Sequence, residues 1–475
     1  MVVTMRRMTL ALVALVALVA LPALLVASPA DAAKTLFGRE VVPRRELSAE
    51  EIAQRRAAFE ENLVRRGMVR VGNRIVRDPS IAVDTPIQHG AGWEDPPHYA
   101  TIFLNFFGGT LTSGTIASEM QSGCVGGVAI DYPMFQGTQM QALTMIQVFE
   151  NAMAPYAVRI AYEDPPPAHL PYSMVMMGGD PTDVGQDAGT LGVSCSSDCG
   201  DVWWRDTTFA FTEASNSALT LGNTALQEAA HAFGLDHIDG TDNIMYPYAT
   251  AGAKTWAPEC TPYNDATGGI SCTYIHDVFC GEDAGMQNDH AELLAYFGPN
   301  EPDVEPPVVA IMSPADGAEL PAGGSVSVEA EISDNHEGYG WRLRVVPEGG
   351  DELVAQAYQK EMSWTFDVPA GTYELYVEAI DHDGNEASDV VTVYVGGAGP
   401  VGTTGDADDT GPDPTEDPTD DPSDAEDGSD GSEATGPMLD DPMAPEGCAC
   451  AVREPQAAVL GLVMLVPLRR RRPRR

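Results

Sequence analysis

The stretch Thr224-Ala-Leu-Gln227-Glu228-Ala-Ala-His231-Ala-Phe-Gly234-Leu-Asp-His237 decides how this chain is read, joined shortly afterwards by Asn243-Ile-Met245-Tyr-Pro247. Residues 218–233 have the pattern of a strong helix, and Gly234 is a suitable terminator. On that helix positions 227 and 231 lie one turn apart on one face, so both side chains can reach a single ion. Gly234 can take a positive φ and turn the chain, which lets His237 return to the same point from outside the helix. Glu228 then points beside the ion, where a carboxylate can take a proton from water. Met245 falls in a tight turn expected beneath the site.

Working outward, residues 100–107 form a dense β-prone run broken by Gly108-Gly109, and residues 139–154 have helical periodicity ended by Pro155. Residues 157–162, 172–177 and 207–211 read as further strands. Strands leading into one long helix predict an α/β domain over residues 97–300.

The central segment resembles the metzincin signature, H-E-x-x-H-x-x-G-x-x-H followed by a methionine-containing turn. That resemblance implies a mixed sheet plus an active-site helix, and a zinc endopeptidase chemistry in which Glu228 assists attack of water on a peptide carbonyl. It makes His231 and His237 the second and third Zn2+ ligands and Met245 the turn methionine. One position departs from the pattern: Gln227 stands where the first histidine belongs. An amide oxygen is a weaker zinc donor than an imidazole nitrogen. Three outcomes stay open: zinc is lost, it is held with Gln227 as a weak ligand, or another group substitutes. Tyr248, just beyond the turn, is the candidate substitute, since astacin-like and serralysin-like members supply a tyrosine from this region. A half-buried loop aromatic is the plainer account of Tyr248. His276 and His290 are also candidates for replacement, although a structural role suits them better. Trp203-Trp204 would line a groove or fill a core. The functional alternatives are a peptidase acting on protein or peptide, an inactive metzincin-like domain that binds or adheres through its cleft, and a purely structural surface protein.

The formal charge of −45, from 26 basic against 71 acidic residues, argues against nucleic acid or anionic membrane as the main partner. Arg6 and Arg7 precede an apolar run over residues 10–26, and Ala30-Asp-Ala32 is a small-residue cleavage site, so residues 1–32 read as a signal peptide. Secretion into an oxidising compartment makes disulfides the expected state of Cys124, Cys195, Cys199, Cys260, Cys272 and Cys280, with roughly fifteen pairings open. Residues 33–92 form a charged leader or prosegment, with a helix capped by Ser48 and Glu51 and running to about residue 66; it is either inhibitory or a solvated arm.

From residue 304 to 396, short alternating runs separated by turns predict an all-β sandwich. The opening Ser313-Pro-Ala-Asp-Gly317 and the later Ala379-Ile-Asp381-His-Asp383-Gly-Asn385 resemble a bacterial immunoglobulin-like domain. Asp334, Asp381 and Asp383 offer hard oxygen donors for Ca2+, though turn building accounts for them more simply. Residues 397–446 read as a disordered acidic spacer. Residues 447–475 hold Gly447-Cys448-Ala-Cys450, a short apolar run and an arginine cluster. Twelve apolar residues span about 18 Å as helix, against a hydrocarbon thickness of about 30 Å. This order of parts resembles the MYXO-CTERM sorting tag, which implies processing near Cys448 and Cys450 and display at the cell surface or outer membrane. Membrane contact is thus expected only through the signal peptide and this tag. Oligomeric state is left open.

Overall fold

A computed structural model describes residues 34–65, 68–71, 74–77, 97–195, 199–200, 206–266, 270–322, 325–336, 338–357, 362–397 and 448–451. The proposed signal peptide with Ala32, the Trp203-Trp204 pair, the acidic spacer and the apolar run of the tag lie outside those residues. The chain divides into two compact units at Val41. In the first, Thr35–Leu36 pairs antiparallel with Arg39–Glu40 around a tight turn.

The second unit begins with helix α1 (Ala49–Arg65). Glu51 accepts hydrogen bonds from the Ser48 amide and hydroxyl, and the Glu51 amide donates to Ser48 Oγ, which forms the predicted capping box. The central domain then supplies β1 (Ala100–Asn105), α2 (Gln139–Met153), β2 (Val158–Ala161), β3 (Ser173–Gly178), β4 (Thr190–Ser194), β5 (Thr207–Phe211) and α3 (Ala218–Phe233). Helices α4 (Thr273–Cys280) and α5 (Asp289–Phe297) close it.

Strands β2, β1, β3 and β5 run parallel in that spatial order, and β4 joins β5 antiparallel, so the sheet is mixed. Every residue of β1, β3, β4 and β5 is buried. That is why these segments read as continuous apolar runs rather than alternating ones. On one face Phe103, Met174, Met176, Phe209 and Phe211 join a core that includes Phe59 and Leu63 of α1. The alternate positions point to the other face, where α2 and α3 pack together and α3 contacts β3, β4 and β5. The leader helix is therefore part of this core and not a solvated arm: Phe59 and Leu63 are each only 1% exposed. Arg55 fixes it further by donating to the Asp183 carbonyl.

The segment after α5 supplies β6 (Val308–Ser313), β7 (Ala318–Leu320), β8 (Ser325–Ser333), β9 (Gly340–Pro347), β10 (Leu353–Ala357), β11 (Met362–Asp367), β12 (Gly371–Ile380) and β13 (Glu386–Val395). They form a three-stranded sheet β6-β8-β11 and a five-stranded sheet β7-β13-β12-β9-β10. Val326, Val328, Leu343, Val345, Leu375, Val377 and Val393 fill the space between them. The alternation in β8, with Val326 and Val328 buried between exposed Ser325, Ser327 and Glu329, is the signature of a strand with one wet face. Strands β7 and β10 are both short.

Finally β14 (Cys448–Ala451) lies antiparallel along β4 at the edge of the mixed sheet, with Cys450 opposite Gly192. Among the described residues no helix is long and apolar enough to cross a membrane.

Candidate metal centre

Helix α3 begins at Ser217, whose hydroxyl accepts the Thr220 amide, and ends at Gly234, which takes φ 108°. Only glycine adopts that conformation cheaply, and space also demands it, since a Cβ at Gly234 would sit 2.8 Å from Cys199 Cα and 3.0 Å from Cys272 Sγ. The turn reverses the chain at once: Leu235 donates its amide to the Ala230 carbonyl. The Leu235 carbonyl then accepts from His231 Nδ1 at 2.7 Å. Because a carbonyl can only accept, Nδ1 carries the proton and the neutral ring presents its Nε2 lone pair.

That lone pair meets the second histidine. His231 Nε2 and His237 Nε2 are 3.1 Å apart, with the rings edge to face at 87°. Two nitrogens on one tetrahedral zinc at 2.0–2.1 Å stand roughly 3.3 Å from each other. The pair thus fits a shared ion, and it fits an N–H···N hydrogen bond as well. Burial pushes His231 down to about 4, only partly offset by the Leu235 carbonyl and the Asp236 charge. Burial, with His231 alongside, holds His237 well below the ordinary imidazole range. Both rings are therefore neutral, the form that ligates metals.

Glu228 is fully buried. Its side chain lies against Gly192 of β4, where a Cβ would come within 2.6 Å of Glu228 Cγ and Oε1. A glycine on β4 is what makes room for the carboxylate. Gln227 donates Nε2 to the Tyr246 carbonyl at 3.1 Å, tying the helix to the turn. Met245 is fully buried, and its carbonyl accepts the Ile238 amide directly after His237. Tyr248 is half-buried, and its ring meets Tyr246 edge to face at 5.8 Å. It shares with Gln227, Leu191, Thr224, Ile244 and Tyr246 a narrow cavity of about 20 Å³. Among the described residues, no third histidine, cysteine, aspartate or glutamate gathers with the imidazole pair at metal-binding range.

A buried group that the sequence touched on only through His276 and Cys272 holds the His237 loop. Asp236, fully buried, accepts from the Ser271 and Cys272 amides and from Ser271 Oγ. His276 on α4 bridges Asp236 (Nε2, 3.1 Å) and Glu292 of α5 (Nδ1, 2.7 Å). Burial alone would lower this imidazole, but the two carboxylates outweigh it and lift it to about 10, so the ring is a buried cation. His290 bonds Tyr156 through Nδ1. Each of these histidines is thus engaged with side chains other than the imidazole pair. The cysteines pair as Cys124–Cys195, Cys199–Cys272 and Cys260–Cys280. The second bridge lies against Gly234 and starts α4, so it backs the turn from which His237 returns.

Comparison with known proteins bears on the sandwich. Residues 307–377 match the bacterial Ig domain family. The chain is thus multidomain, a mixed α/β part followed by an Ig-like β-sandwich, and the strands of the Ig-like domain continue past the matched portion to Val395. Among solved structures, the fibronectin(III)-like modules of Clostridium thermocellum CbhA are 19% identical, covering 18% of this chain and 94% of that one, at a TM-score of 0.16. A β-glucosidase from Listeria innocua is 13% identical, covering 65% of this chain and 47% of that one, also at 0.16. Likenesses at that score carry no weight for the fold. No curated protein matches the chain.

Proposed function

We propose that the protein is an exported, surface-displayed zinc endopeptidase of the metzincin type, in which the Ig-like domain carries the α/β domain away from the cell surface. The observation that supports this reading is the 3.1 Å approach of His231 Nε2 and His237 Nε2 from either side of the Gly234 turn. His231 and His237 would hold the ion, with Gln227 as a weak third donor from the same helix face. A zinc ion so held supplies Lewis acidity toward a peptide carbonyl. Glu228 takes the proton of the attacking water and returns it to the leaving amine, which breaks the peptide bond. Burial of Glu228 and of both imidazoles excludes bulk water from this exchange. The Leu235 carbonyl fixes the proton of His231 on Nδ1, and the Asp236–His276–Glu292 bridge fixes the loop bearing His237.

A second reading, a catalytically inactive domain that binds protein through its cleft, is favoured by Gln227, which replaces an imidazole and commits its amide nitrogen to the Tyr246 carbonyl. The two are separated by the zinc content of the purified mature chain and by cleavage of an unfolded protein with and without chelator. Stoichiometric zinc and chelator-sensitive cleavage that is lost in Glu228→Ala support the peptidase. Metal-free protein without cleavage leaves the binding role.

A further inference from the structure

Far along the chain from the imidazole pair, three aspartates converge where the connection after α5 enters the Ig-like domain. Asp303 lies on that connection, Asp334 directly follows β8, and Asp381 directly follows β12. One carboxylate oxygen of each lies within 4.8 Å of those of the other two. Asp303 is 6% exposed and Asp381 is 4% exposed.

Turn building uses only part of this oxygen set. Asp303 Oδ1 accepts from the Glu305 amide and from Asn335 Nδ2. Asp334 Oδ1 accepts from the His336 amide. Asp381 Oδ1 accepts from the Gly384 and Asn385 amides, and its Oδ2 from Asn385 Nδ2. The second oxygens of Asp303 and Asp334 are buried and accept no hydrogen bond. A buried carboxylate oxygen without a donor is costly, and three like charges around it compound the cost. Burial pushes the Asp334 carboxyl up to about 6; the His336 amide opposes this, and the charges of Asp303 and Asp381 add to it.

We propose that Asp303, Asp334 and Asp381 form a calcium site that locks the Ig-like domain to the α/β domain. The donors are all hard oxygens, as calcium prefers, and at 2.3–2.6 Å its ligands can stand up to about 5 Å apart. Magnesium, at 2.0–2.1 Å, draws its ligands within about 4 Å and demands stricter geometry. The sequence pointed to Asp383 as a third donor, but Asp383 Oδ2 accepts the Asp303 amide and so serves to place Asp303. Each of the two loop aspartates neighbours a contact with the α/β domain. His336 stacks on Tyr99 with ring centres 4.1 Å apart, and Tyr99 donates its hydroxyl to the Glu301 carbonyl. His382 Nδ1 is 2.8 Å from Thr101 Oγ1 on β1. An ion bound to all three carboxylates therefore cross-links the connection and both loops that touch β1 and its approach.

The test is calorimetric titration of the full chain, treated with EGTA, with calcium chloride and separately with magnesium chloride. The acidic segment over residues 401–446 will take up calcium weakly at many places, so the variants Asp334→Asn and Asp303→Asn are titrated alongside. The expected result is one tight calcium equivalent, weakened at least tenfold in each variant, matched poorly by magnesium, and accompanied by slower proteolysis of residues 298–307 when calcium is present. Asp334 is only partly buried, so Asp334→Asn keeps the test decisive if Asp303→Asn fails to fold. Weak uptake alone, identical in the wild-type chain and Asp334→Asn, would overturn the proposal. So would a tight equivalent that survives both substitutions. Glu228→Ala is expected to bind calcium normally, which separates this site from the zinc reading.

Discussion

Replacing His276 by glutamine tests whether the buried cation behind the His237 loop is structural. In the native chain both ring nitrogens face carboxylates, Asp236 at 3.1 Å and Glu292 at 2.7 Å, and none of these side chains is more than 1% exposed. The ring is lifted from 6.5 to about 10. At about 1.36 kcal/mol per pH unit, that difference sets a ceiling of about 5 kcal/mol on what the proton contributes to stability. Breaking a buried pair by removing one partner costs about 3–5 kcal/mol. Glutamine can donate to only one of the two carboxylates, so a loss of about 3 kcal/mol at pH 7 is expected on that scale. The pH dependence is the sharper readout. A group whose pKa is raised on folding contributes fully below its unfolded value, so the stabilisation is complete below pH 6.5, declines as pH rises, and is gone above about pH 10. Between pH 7.5 and 9.5 the wild-type chain should lose about 1.4 kcal/mol per pH unit relative to His276→Gln. Urea unfolding followed by tryptophan emission across that window measures it, and the Ig-like domain, which lacks His276, serves as internal reference. Parallel stability curves for the two chains would refute the reasoning.

Three further outcomes follow from the same geometry. Gly192→Ala places a methyl 2.6 Å from Glu228 Cγ and 2.8 Å from the Phe209 carbonyl; under the proposed peptidase function it should lower cleavage at least about tenfold, within the about 10²–10⁴-fold that a general base contributes, with zinc content unchanged, and full activity would contradict the proposed role of the carboxylate. Gln227→His should raise zinc affinity by about tenfold or more, because an imidazole replaces an amide donor; equilibrium titration showing no gain would mean the two native imidazoles do not meet at an ion. Leu63→Ala removes a side chain that is 1% exposed from the core shared by α1 and the sheet, so it should cost about 2–5 kcal/mol; a cost well below that in chemical unfolding would mean that the leader is not integral to the domain.

What could be read in the sequence was what is settled within a few turns of chain. Helix α3 and its glycine stop follow from local pattern, and the capping box at Ser48 and Glu51 lies within four residues. The approach of His231 to His237 was equally legible, because six residues and one left-handed turn determine it. The alternation in the sandwich strands was clear because one face is wet. Long-range pairings were not legible. Asp236 meets His276 across forty residues of sequence, and nothing in the wording around His276 distinguishes a buried bridge from a surface residue. Asp303 sits in a Pro-rich connection between domains, and only the fold carries it to Asp334 and Asp381. The docking of α1 was hidden by its charge: Phe59 and Leu63 form a narrow apolar stripe among arginines and glutamates. The disulfide pairing had no local determinant at all.

The outermost strand of the mixed sheet is contributed from the far end of the chain. An edge strand carries a row of amide and carbonyl groups that seek an extended partner, and β14 supplies that partner to β4, crossing Gly192 where Glu228 lies. Trimming the molecule at Cys448 would therefore alter the sheet itself. It would strip a neighbour from the strand beside the buried carboxylate and leave an unfilled berth, open to any other polypeptide able to lie straight along it.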